Sequence, residues 1–184
     1  MSNDRSPDDT AQEASTQKLV EHTLRDERLL LASVLQNLPL GVGIYDSDGS
    51  LIHSNQSLRD YARLDRLPSR QPTETRRWRG YDKDGRLIGP SDYPGARALR
   101  GERVMPGIDF LYEGSDEQER WMRVSAVPFR REGPKVYEAI VVVQDINDLK
   151  RAREQIEAAA ASYASESRFL EATLSSNPGL CVRV

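Results

Sequence analysis

The chain has 184 residues, 38 % hydrophobic and 30 % charged, with a formal net charge of -3. That length suits one ordinary domain with extensions, and the charge balance gives no general case for binding nucleic acid or a membrane surface. The single Cys181 excludes an internal disulfide framework and suits a reducing cytoplasm, while no apolar run approaches the roughly 18 residues needed to cross a bilayer.

Residues 1–15 are polar and acidic, lack the apolar core of a signal peptide, and read as a disordered N-terminus. Over residues 16–38, Val20, Leu24, Leu31, Val34 and Leu38 fall on one face, widened by Leu30 and Leu35, which predicts an amphipathic helix. Glu27 interrupts that seam, and Pro39 ends the helix because proline disfavours helical geometry in the residue before it. Residues 41–45 read as a short strand, Asp46-Ser47-Asp48-Gly49 as a tight turn and residues 50–54 as the returning strand. Asn55 is placed to cap a short helix carrying Leu58, Tyr61, Ala62 and Leu64. Residues 68–75 read as loop, residues 78–88 hold a second Asp-Gly turn at Asp84-Gly85, and residues 94–99 read as a brief helix stopped by Gly101. The stretch from residue 59 to 103 is locally basic, as a solvated surface or as a face for an anionic ligand or partner.

Three strands follow, over residues 107–112, 120–129 and 136–144. In the middle one Trp121, Arg123, Ser125 and Val127 share one face, and Met122, Val124 and Ala126 the other. Together these elements make a mixed α+β unit over residues 39–148. After Asp145-Ile146-Asn147-Asp148 the period becomes helical: Leu149, Ile156, Tyr163 and Leu170 recur every seven residues. Ile146, Arg153, Ala160, Ser167 and Leu174 form the companion row, so residues 149–175 predict a linker helix with a coiled-coil seam that Arg153 and Ser167 weaken.

Two stretches repeat. Arg28-Leu29-Leu30, Ala32-Ser33-Val34 and Asn37 return 140 positions later as Arg168-Phe169-Leu170, Ala172-Thr173-Leu174 and Asn177. Such self-similarity marks a repeated structural unit. Residues 176–184 then read as the truncated start of a second unit, and the chain as a piece of a longer modular protein.

Residues 29–148 resemble a PAS domain, the sensor module of bacterial signalling proteins, and most of all the variety found in tandem ahead of histidine kinases and diguanylate cyclases. The segment LQNLPLGVGIYDSDGSLIHSNQSLRDY resembles that family's leading helix, first hairpin and Asn-led helix. YDKDGRLIGPSDYPGARALRGERV resembles its middle segment, and RWMRVSAVPFRREGPKVYEAIVVVQDIND its last hairpin and acidic exit motif, with Asn147 where Thr or Ser is usual.

The resemblance implies a five-stranded antiparallel sheet with short helices on one face, flanked by N- and C-terminal amphipathic helices. A ligand or a filled core would lie between sheet and helices, and the signal would leave through the helix fused to the last strand. It also implies a downstream effector domain in the same chain; the helical segments on both sides of the unit suggest a parallel homodimer, and the sequence shows no nucleophile–base pair, phosphate-binding Gly loop or catalytic carboxylate pair. Candidate pocket residues are Ile44, Ile52, Tyr61, Trp78, Leu99, Phe110, Trp121 and Val141, a set that equally suits a filled core. The exit motif is Asp145, Ile146 and Asn147; Asp145 either caps the helix or takes part in switching, with Arg123 as one conceivable partner.

The cofactor stays open. Relatives that form a photochemical flavin adduct need a cysteine in the middle helical segment, and none precedes Cys181, which excludes that type. Residues 94–99 contain no histidine to serve as a haem ligand. His53 reads as sheet packing, His22 as surface and Met105 as an exposed-loop residue, and the two histidines have no metal-site spacing.

Overall fold

A computed structural model describes residues 7–62, 64–114, 117–130 and 137–175. Helix α1, Pro7–Asn37, begins nine residues before the expected start at 16, so most of the segment read as disordered is helical. Strands β1, Gly41–Tyr45, and β2, Leu51–Ser54, form the expected hairpin. Its turn is held by the Asp46 carboxylate, which accepts the amides of Asp48 (3.0 Å) and Ser50 (2.8 Å), while Gly49 takes a φ of 81°. The second Asp-Gly turn repeats this chemistry: Asp82 accepts from Asp84 and Arg86, and Gly85 has a φ of 77°.

Helix α2, Gln56–Tyr61, is capped by Asn55 as expected. The stretch expected as loop over residues 68–75 instead makes a 3-10 turn, Pro68–Arg70, and helix α3, Pro72–Arg77. Each starts on a proline, whose fixed φ and missing N–H suit a first helical position. Thr75 Oγ1 secures the pair through the carbonyls of Pro68 (2.6 Å) and Gln71 (3.0 Å). Helix α4, Pro94–Leu99, follows, with strands β4, Val104–Glu113, β5, Glu119–Phe129, and β6, Glu138–Asp145, and then helix α5, Asn147–Ser175.

The sheet is antiparallel with six strands, not five, in the order β2-β1-β6-β5-β4-β3. The added edge strand β3, Trp78–Tyr81, pairs along Tyr112 to Asp109 of β4. Trp78 and Gly80 alternate inward, and Gly80 has no room for a Cβ beside the Phe110 ring, 2.7 Å away. Read as one side of a turn, these residues become a strand because Trp78 stacks against Tyr112, with ring centroids 4.3 Å apart.

The core lies on one face of the sheet. Tyr45, Phe110, Met122, Val124, Ala126, Val141 and Val143 point to that face, and Leu58, Leu64, Leu67, Tyr93 and Ala98 cover it. Strand β5 keeps the expected alternation, with Met122, Val124 and Ala126 buried and Trp121 and Arg123 half-buried on the outer face.

Candidate functional site

Between sheet and helices a cavity of about 30 Å³ is lined by Tyr45, Leu64, Leu67, Tyr93, Val124 and Val143, with Trp78, Phe110 and Val141. Of the eight pocket residues expected from the sequence, those last three reach it. Ile44 lies on the opposite face, against α1. Ile52 is 45 % exposed on β2, and Tyr61 gives its hydroxyl to the Pro39 carbonyl (3.0 Å). Leu99 packs at the rim of the core, and Trp121 lies on the outer face beside Tyr81 and Lys150.

Two of these differences, Ile44 and Trp121, share one cause. Alternation in a strand sends neighbours to opposite faces, so choosing Ile44 over Tyr45 and Trp121 over Met122 inverted the side. Arg123, in phase with Trp121, was the available signal that this row faces outward. Tyr45 is buried despite its hydroxyl; burial, with a further contribution from Asp65, pushes that hydroxyl's pKa up. Within the cavity wall, Trp78 Nε1 and Ser69 Oγ are buried without a hydrogen-bond partner among the described residues. The volume accommodates a water molecule and is far smaller than a cavity for a ring-sized ligand.

Helix α1 is fastened to the domain by Asn55, which is buried. Its Oδ1 accepts the amides of Val42 (2.8 Å) and Leu58 (3.1 Å), and its Nδ2 donates to the carbonyls of Leu35 (2.9 Å) and Leu40 (2.7 Å). Ser57 Oγ donates to the Leu38 carbonyl (2.7 Å), and Tyr61 to that of Pro39. One carbonyl that α1 leaves unpaired at its C-terminal end, Leu35, and those of Leu38, Pro39 and Leu40 in the segment that follows are thus served by the cap and residues of α2. The sequence marked Asn55 as a helix cap; its second task, 15 and 20 residues back along the chain, was not legible there.

The exit is built differently. Ile146 is buried and gives its amide to the Trp121 carbonyl (2.9 Å), while the Trp121 amide donates to Asn147 Oδ1 (2.9 Å). Asp145 accepts the Asn147 amide (2.8 Å) and so serves the first amide of α5, the geometry of the capping alternative. Arg123 does not reach for Asp145: its Nε donates to Asp109 Oδ1 on β4 (2.8 Å). The other oxygen, Asp109 Oδ2, takes Lys150 of α5 (2.8 Å), whose Nζ also sits 4.6 Å from the centre of the Trp121 ring. Asp109 and Arg123 face each other across β4 and β5, a pairing that the sequence reading did not consider because it left Asp109 unassigned. Burial pushes the Asp109 carboxyl up, but the hydrogen bonds from Arg123 and Lys150 outweigh it and hold the group below its ordinary range.

Both junctions lie at one end of the sheet, because β1 and β6 are antiparallel neighbours and Gly41 pairs with Val143. An antiparallel sheet with short helices on one face, and a helix that follows directly on its last strand, is the arrangement the sequence resemblance implies. Residues 41–145 have a PAS-like α+β fold, with one strand more than the five expected.

No protein-family model matches the sequence, and no curated protein matches it. Among solved structures, the PAS domain of an HTR-like protein from Haloarcula marismortui is similar with a TM-score of 0.44 and 21 % identity, covering 70 % of this chain and 99 % of that one. The phage VqmA–DPO complex is similar at 0.43 and 14 % identity, over 78 % of this chain and 62 % of that one. A sensory box histidine kinase/response regulator from Burkholderia thailandensis E264 is similar at 0.42 and 12 % identity, over 74 % of this chain and 97 % of that one.

Beyond residues 41–145, Leu149, Ile156, Tyr163 and Leu170 of α5 are 54–76 % exposed, and α1 exposes Val20, Leu24, Leu31 and Val34. Among the companion row, Arg153 pairs with Glu157 (2.7 Å). His53 lies exposed on β2 instead of being packed in the sheet, His22 pairs with Asp26 on α1 (3.0 Å), and Met105 belongs to β4, where it is 55 % exposed. Among the described residues no three His, Cys, Asp or Glu side chains converge on a metal-sized site, and no helix is long and apolar enough to cross a membrane. The expected start of a second unit at residues 176–184, with Cys181, lies outside the described residues.

Proposed function

We propose that this segment is a cytoplasmic PAS-type sensory and dimerisation module that passes a signal through α5 to an effector domain of the same chain, a histidine kinase or a diguanylate cyclase. The observation that carries the reading is the uncovered heptad row Leu149, Ile156, Tyr163 and Leu170 on a helix whose first turn is fixed to the sheet. An apolar row at this period is buried when a second copy of the helix lies alongside. The repeat of the α1 sequence near the end of α5 adds support, since one helix would leave this unit and lead into the next. Sedimentation of the protein at tens of micromolar tests the dimer. The reading expects a dimer that Ile156→Asp combined with Tyr163→Asp converts to monomer; a wild-type monomer at that concentration refutes it.

A second reading is a ligand-free scaffold with a filled core, and the cavity of about 30 Å³ favours it over a module that holds its stimulus inside. Native mass spectrometry of the purified protein separates the two: a bound small molecule supports interior sensing, and an empty protein supports the scaffold.

A further inference from the structure

A large recess that touches the exit helix lies outside the domain's core. On the outer face of the sheet a groove of about 740 Å³ runs between the Asp82–Gly85 turn, the start of β4 and the first turns of α5. Four cations line it, Lys83, Arg123, Lys150 and Arg153, against the carboxylates of Asp82 and Asp109. Asp82 is already occupied by two backbone amides of its own turn, and Asp109 is shared between Arg123 and Lys150. Among the described residues, Arg123 engages only its Nε with a protein partner, Arg153 only its Nε with Glu157, and Lys83 forms no ion pair. The terminal guanidinium nitrogens are thus open at a site rich in positive charge, and a guanidinium fork matches the two oxygens of a carboxylate or phosphate.

We propose that this groove binds a small molecule bearing an oxyanion group, which takes the place of Asp109 as the partner of Lys150 and loosens α5 from the sheet. Only the consequence for signalling rests on the relay reading; the binding itself does not, and the dimer measured by sedimentation is a separate quantity. Competition is feasible because Lys150 and Asp109 are part-exposed, so the ion pair exchanges one surface partner for another without burying a new charge.

The protein has two tryptophans, and only Trp121 lies in the groove, whereas Trp78 lines the interior cavity. Their indole N–H signals in an NMR spectrum of the full chain therefore report the two places independently. Citrate and inorganic phosphate are titrated separately at constant ionic strength, so that general screening does not change. The expected result is a saturable shift of the Trp121 signal with Trp78 unmoved, and faster amide exchange over residues 150–154 at saturation. Citrate alone acting assigns carboxylates, and phosphate alone acting assigns phosphates. Arg123→Gln weakens binding about tenfold, the scale of one charged hydrogen bond. Lys83→Ala, on an exposed turn, weakens it about threefold without touching the sheet. The absence of a saturable Trp121 shift with either anion overturns the site. A saturable shift that leaves exchange in α5 unchanged overturns the competition with Asp109.

Discussion

The two helix junctions solve the same problem with opposite chemistry. At the end of α1, one neutral side chain, Asn55, uses both its donor and its acceptor to bind four backbone groups, and every partner is uncharged. At the start of α5, a carboxylate on β4 gathers two cations, one from β5 and one from the helix, at the edge of an open groove. A buried neutral hub is insensitive to pH and salt, and its loss leaves several groups unsatisfied. A part-exposed ion cluster is weaker and answers to protons, salt and competing ions. In a relay, the first arrangement suits a fixed mount and the second a releasable one.

The largest effect is expected at the mount. Asn55→Ala leaves the Val42 and Leu58 amides and the Leu35 and Leu40 carbonyls without their partner, at a cost of about 3 kcal/mol. Urea unfolding measures it, and the loss should be the same at low and high salt; a salt-dependent loss breaks the contrast between the junctions.

Asp109→Asn is expected to cost on the order of 1–2 kcal/mol, because Arg123 and Lys150 keep a neutral acceptor but lose the charge. Its effect depends on pH in a defined direction. The folded-state carboxyl is held below its ordinary range, so its stabilisation is complete above the unfolded value and is lost as pH falls through the folded one. Stability curves of the wild type and Asp109→Asn should therefore differ at neutral pH and converge in acid. A gap that stays constant into acid assigns the loss to packing.

Asn147→Ala is the smallest, about 1 kcal/mol, since it removes a single acceptor from the Trp121 amide. Faster exchange of that amide, with the neighbouring Met122 core position unchanged, places the damage at the junction; uniform acceleration across β5 places it in the sheet.

Local chemistry was legible in the chain. The two Asp-x-Asp-Gly turns, the Asn55 cap, the alternation in β5 and the heptad row of α5 each depend on residues a few positions apart. They were sufficient for an α+β unit between two long helices. The side of the sheet that faces the core was harder, because period-two alternation defines two rows without saying which is inside; that is why Ile44 and Trp121 were expected in a cavity that Tyr45 and Met122's face enclose.

What only the tertiary structure decided are the pairings between distant segments. Trp78 to Tyr81 becomes a strand because β4 offers a free edge, and Asn55 becomes the mount of α1 because the β1–β2 hairpin returns it to that helix end. Asp109, Arg123 and Lys150 meet only once β4, β5 and α5 are stacked side by side. By itself the sequence determined most of the elements and the two Asp-Gly turns, since those energies are local; the helix at residues 72–77 and the edge strand β3 were not among them. The partners of the charged and amide side chains at the two junctions were decided by strand register, which brings together groups that the chain keeps far apart.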